Sequence, residues 1–180
     1  GVSVNNGYIY LVGGSNGATQ VNSATYAPIN SDGTIGAWVS ANSLSIPRTY
    51  HGFTIYNGYA YALGGSTSGW SVENSTEYAP INSDGSLGSW TTTSSLPAVR
   101  VSGSAVAYNG YMYLLGGQDN SSVSNTVMYA PIKANGSLGS WSTTTSFTTN
   151  RENTNAFAYN GRVYIMGGYN GSSTYYSDVQ

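Results

Sequence analysis

The sequence predicts an all-β protein assembled from repeated four-stranded antiparallel sheets, about three and a half of them. Three observations predict it. Anchor residues recur in one register along the whole chain; each unit carries an Asn-Gly dipeptide between alternating apolar runs; and no stretch shows a helical period.

The anchors set the unit. Asn-Gly recurs at Asn6-Gly7, Asn57-Gly58, Asn109-Gly110 and Asn160-Gly161, a step of 51 or 52 residues each time. A glycine pair follows at Gly13-Gly14, Gly64-Gly65, Gly116-Gly117 and Gly167-Gly168, then Tyr-Ala-Pro-Ile at Tyr26, Tyr78 and Tyr129. Trp38, Trp90 and Trp141 come next, and Arg48, Arg100 and Arg151 close the pattern. The units are 1–47, 48–99, 100–150 and an incomplete 151–180.

Within a unit, each strand has a chemical reason. Gly52 to Tyr56 and Tyr59 to Leu63 flank Asn57-Gly58, and Asn and Gly tolerate the positive φ angles of a type I′ hairpin turn. The second strand alternates Tyr59, Tyr61 and Leu63 with Ala60 and Ala62, so both of its faces are apolar. A sheet apolar on both sides has to be sandwiched between neighbours, as radially stacked propeller blades are. The third strand ends at Tyr78-Ala79-Pro80, where proline is tolerated because the ladder is closing. The fourth, Trp90 to Ser94, is polar and β-branched, which suits an exposed edge. The recurring Trp38, Trp90 and Trp141 are expected in the blade core.

Composition removes several function classes. There is no cysteine, so disulfides, thiolate catalysis and thiolate metal sites are excluded. Charged residues are 7% of the chain, against roughly 25% in an average soluble protein. Five basic and seven acidic side chains leave no basic stripe for nucleic acid and no polybasic segment for a membrane. No apolar run approaches the length of a transmembrane helix, and the first residues lack the regions of a signal peptide. The Ser-, Thr-, Asn- and Tyr-rich, Lys-poor composition gives the expectation of a bacterial secreted or cell-surface protein.

The order Arg, Asn-Gly, aromatic-x-aromatic, Gly-Gly, Tyr, Trp resembles the kelch repeat, over the whole chain. The run Tyr-Ala-Pro-Ile-Asn-Ser-Asp-Gly is longer than the usual kelch hairpin between strands three and four. The resemblance implies a kelch-type β-propeller, here partial, either belonging to a larger ring of six to eight blades or closed by a second copy. It also implies that loops joining strands two and three, together with the blade links, gather on the ligand-binding face. In eukaryotic relatives the corresponding arginines often touch acidic peptides.

Arg48, Arg100 and Arg151 are expected to ring the channel mouth, where a planar donor fork suits carboxylates and sugar hydroxyls. The alternative is that they bond loop carbonyls of the next blade. Residues that break the repeat are the better binding candidates, because a residue the fold needs should recur. Trp70, Asp119, Tyr169 and Tyr175 qualify, and Tyr50 and His51 lie beside Arg48. A lone His without a Gly-x-Ser-x-Gly signature gives no hydrolytic triad, and one His without Cys excludes copper chemistry of the galactose oxidase kind. Asn30-Ser31-Asp32-Gly33 and Asn82-Ser83-Asp84-Gly85 resemble calcium loops faintly, but no Glu closes them and turn chemistry explains them. The expected function is a non-catalytic module binding a glycan or a peptide, with no cofactor and no metal. The alternatives are a carbohydrate-active enzyme resembling sialic acid mutarotases, using Arg with Glu73 or Glu152 as acid or base, and a purely structural repeat or assembly unit.

Overall fold

A computed structural model describes all 180 residues. The first sheet joins β1 (Val2–Asn5), β2 (Tyr8–Ser15), β3 (Gln20–Pro28) and β4 (Val39–Ala41) in that spatial order. The second joins β5 (Gly52–Tyr56), β6 (Tyr59–Leu63), β7 (Thr76–Pro80) and β8 (Thr91–Thr93), and the third β9 (Ser104–Tyr108), β10 (Tyr111–Leu115), β11 (Val127–Pro131) and β12 (Ser142–Thr144). The fourth holds β13 (Asn155–Tyr159) and β14 (Arg162–Met166), with Met166 bridged to Val179. All pairings are antiparallel. This is the all-β arrangement of about three and a half four-stranded blades that the repeat predicts. The single helical element is a 3-10 turn at Ser68–Trp70, and no helix is long and apolar enough to cross a membrane.

The Asn-Gly turns carry the expected backbone: φ is 47° at Asn57 and 78° at Gly58, and the other three copies match. The innermost strands β1, β5, β9 and β13 lie side by side, each contacting the next.

The core lies between sheets instead of inside one. Tyr10, Val12, Ala24 and Leu44 of the first blade pack on Ala60, Ala62, Ala79, Leu87 and Trp90 of the second. Tyr61, Leu63 and Leu96 repeat this against Met112, Leu114, Met128, Ala130 and Leu138 of the third. Small alanines facing large tyrosines let the two sheet surfaces interlock. Tyrosine hydroxyls cross the same interfaces, Tyr10 Oη donating to Gly85 O at 2.9 Å and Tyr61 Oη to Gly136 O at 2.9 Å. Burial and the neighbouring tyrosines push the Tyr10 hydroxyl up to about 12.

One expectation about the core is corrected. Trp38 is 47% exposed, against 9% for Trp90. Trp90 Nε1 donates to Asn42 O at 2.8 Å and Trp141 Nε1 to Ser94 O at 2.9 Å, each reaching the preceding blade. Trp38 Nε1 makes no equivalent bond.

Candidate functional site

The β2–β3-type loops and the blade links meet on one face, and the repeat determines how. Two residues after each arginine the chain enters the left-handed region: φ is 54° at Tyr50, 56° at Ser102 and 52° at Asn153. That kink turns the backbone toward the neighbouring blade. Ser102 N donates to Tyr50 O at 2.7 Å, and Asn153 N donates to Ser102 O at 3.0 Å, stitching three blades together at the channel rim. The side chains of these three residues then face a cleft of about 450 Å3.

Ser and Asn adopt positive φ with modest cost, but a bulky aromatic rarely does. Tyr50 does, and so does Trp70, at φ 63°. Their rings stack, with centroids 6.1 Å apart and planes 29° from parallel, and they remain 52% and 65% exposed. Strained backbone that presents two large aromatic surfaces to solvent is a mark of a binding site. The rest of the cleft is polar: Ser66, Gln118 and Asn120 among the amides and hydroxyls, and the carboxyl groups of Asp119 and Glu152.

Asp119 closes an Asx turn. Its Oδ1 accepts from Ser121 N at 2.8 Å, Ser122 N at 2.9 Å and Ser121 Oγ at 2.9 Å. These backbone donors, with a smaller contribution from the Arg100 guanidinium, hold its carboxyl below the ordinary value. Glu152 is buried, and burial raises its pKa. Tyr169 pairs with the Glu152 backbone through bonds of 2.9 and 3.0 Å and stacks on Tyr175 with centroids 4.7 Å apart. That second aromatic pair lies outside the cleft lining, with Tyr175 80% exposed.

The arginines do not ring the channel mouth. Arg48 and Arg151 are fully buried and Arg100 nearly so. Arg48 Nη1 donates to Gly64 O at 2.6 Å and Ser75 O at 3.1 Å, while Nη2 pairs with Glu77 Oε1 at 2.7 Å. Arg151 Nη1 donates to Gly167 O at 2.9 Å and Asp178 Oδ1 at 2.9 Å, and its guanidinium lies 4.2 Å from the centre of the Tyr176 ring. In both, the carbonyl of the first glycine of the pair in the same blade and an acid beyond it occupy the fork. Arg151, aided by Gln180, pulls the Asp178 carboxyl down to about 2.

His51 also lies outside the cleft. Its ring is buried against the edge of Phe53, along the surface formed by the innermost strands, and burial lowers its pKa well below the ordinary histidine value. No group of three or more His, Asp and Glu side chains converges anywhere in the chain.

The structure thus unites Tyr50, Trp70 and Asp119 and leaves Arg48, Arg100, Arg151, His51, Tyr169 and Tyr175 outside the lining. Sequence reasoning missed Ser102 and Asn153 as site residues. The available signal was their shared slot with Tyr50, two residues after each arginine, where the side chain changes from blade to blade.

Comparison with known proteins agrees with the repeat. The chain is 26% identical over 161 residues to Kelch repeat and BTB domain-containing protein 1 of Horsepox virus, covering 89% of this chain and 27% of that protein. It is 26% identical over 137 residues to Spermatocyte protein spe-26 of Caenorhabditis elegans, covering 74% of this chain and 23% of that one. It is 31% identical over 80 residues to Alpha-scruin of Limulus polyphemus, covering 44% of this chain and 8% of that one. The chain spans about a quarter of the length of the first two relatives. No protein-family model matches it. The low-identity similarity to kelch-repeat proteins, together with the fold, supports a kelch-repeat family. These relatives are viral or eukaryotic and lend no support to a bacterial origin.

Proposed function

We propose that this chain is a non-catalytic interaction module that holds an extended peptide segment of a partner protein in the cleft between Tyr50, Trp70 and Asp119. The observation that carries the reading is the exposed Tyr50–Trp70 stack, held at positive φ in both residues beside a polar cleft of about 450 Å3. Rigid aromatics supply contact area at low entropic cost, and the surrounding amides and hydroxyls match the hydrogen-bonding groups of a peptide backbone. The similarity to kelch-repeat proteins favours a partner-binding role over a reaction. The buried arginines favour it too, since an acid–base site built on them would first have to extract them.

The test is a screen of the chain against immobilised peptide and glycan libraries, repeated with Trp70→Ala and Tyr50→Ala. The expected result is peptide binding weakened about tenfold or more by either change. Retention on glycans alone, or peptide binding indifferent to both substitutions, overturns the reading.

A further inference from the structure

The cleft has an asymmetry of charge that the fold does not require. Five basic side chains exist in the chain; Arg48, Arg100 and Arg151 are buried, while Lys133 and Arg162 belong to hairpins at the opposite end of the blades. No basic side chain lines the cleft, and two carboxyl groups do.

Neither acid is explained by folding. The slot of Glu152 holds Thr49 and Val101 in the other blades, and all three make the same backbone bridge to the next loop. A carboxylate is therefore not needed there. Glu152 is only 9% exposed, and its side chain has no hydrogen-bond donor or cationic partner in the chain. The slot of Asp119 holds Asn170 in the fourth blade, whose Oδ1 accepts from Ser172 N, Ser172 Oγ and Ser173 N at 3.0 to 3.1 Å. Asn16 does the same work in the first, accepting from Ala18 N and Thr19 N. The turn needs an oxygen and not a charge. An Asp appears in this slot only where the loop borders the cleft, and its Oδ2 has no donor.

We propose that the cleft recognises a cation, the ammonium or guanidinium group of a Lys or Arg side chain in the bound peptide. The inference rests on the interaction reading above and names the chemistry of its ligand. The Glu152 carboxylate and the Asp119 Oδ2 accept from no donor within the chain, so they remain free to take an incoming N–H donor that carries a positive charge. The adjacent Tyr50–Trp70 stack presents π faces to the same cation or to its aliphatic stem. Arg100, whose charge opposes such a ligand, is buried and absent from the lining.

The experiment titrates the chain with short Gly/Ser peptides carrying one central Lys, Arg, norleucine, citrulline or Glu, and follows the Trp70 indole by NMR and affinity by calorimetry. Lys and Arg peptides are expected to move the Trp70 signal and to bind about tenfold more tightly than norleucine and citrulline peptides. Asp119→Asn and Glu152→Gln should each narrow the ratio of Lys and Arg peptide affinity to norleucine and citrulline peptide affinity from about tenfold toward one. Asp119→Asn recreates the side chain found at Asn170 and so keeps the turn, whatever Glu152→Gln does to folding. Equal Trp70-dependent binding of charged and neutral peptides overturns the cation inference and leaves the interaction reading intact. Preference for the Glu peptide also overturns it. Absence of any Trp70 response overturns both.

Discussion

Three guanidinium groups fill one slot in successive blades, and their partners differ. Arg48 meets Glu77, and Arg151 meets Asp178. Arg100 has only Thr126 Oγ1, at 3.5 Å from Nη2, and its Nε and Nη1 have no partner. The sequence explains the difference. Ser75, Thr126 and Asp178 each accept through their carbonyl from the first glycine of the pair, which makes them equivalent positions. Glu77 occupies the slot that Met128 fills in the third blade, each on the third strand opposite the penultimate residue of the second, Ala62 or Leu114. Glu77 is buried with Arg48 and also accepts from Ser45 N at 2.8 Å, so removing it strands a buried cation and an amide. Glu77→Ala is expected to cost about 3 to 5 kcal/mol in urea unfolding. Thr126→Asp, which gives Arg100 the carboxylate that Arg151 enjoys, is expected to raise the urea midpoint, and Arg100→Met should abolish that gain. An unchanged midpoint in Thr126→Asp would mean that Arg100 finds its partner in solvent.

At the scale of single strands, the second strand of each blade carries the same tyrosine, and its environment is decided by the next blade. Tyr10 and Tyr61 reach hairpin carbonyls at Gly85 and Gly136, both 75 residues ahead. Tyr113 occupies the same position in β10 but has no such acceptor. Tyr10→Phe and Tyr61→Phe should each cost about 1 kcal/mol, the usual value of a buried hydrogen bond, while Tyr113→Phe should be neutral by thermal unfolding. The same logic shows what could be read from the sequence. Strand existence, the Asn-Gly turns and the two-faced apolar pattern follow from nearest-neighbour chemistry, so β5–β7 fall where Gly52, Tyr59 and Pro80 place them. The fate of Arg48 depends on the Gly64 carbonyl and Glu77 that its own folded blade brings over it, and that of the tryptophan slot on a carbonyl of the preceding blade; periodicity carries no information on which way a guanidinium turns. Trp70 and Asp119 were legible because they break the repeat. Ser102 and Asn153 were not, since small polar residues in a link look like turn chemistry until the fold brings them to one cleft.

Across the whole molecule, stability accumulates interface by interface. The cores between the first and second sheets and between the second and third hold nine and eight buried residues, and the last holds three, Val106, Leu115 and Ile165. Each blade touches only its neighbours, so the chain behaves as a short one-dimensional array in which the middle units are supported on both sides. The outer blades show the consequence: Val2, Val4 and Trp38 on the first and Phe157 and Tyr159 on the fourth remain 43 to 65% exposed. Amide exchange should therefore be slowest in β6 and β10, which have a blade on either side, intermediate in β2, and fastest in β14, whose sheet has only two full strands. Hydrogen exchange followed by mass spectrometry reads this order directly. Uniform protection across all four blades would instead mean that the array opens only as one unit, with coupling between blades stronger than the stability of any one of them.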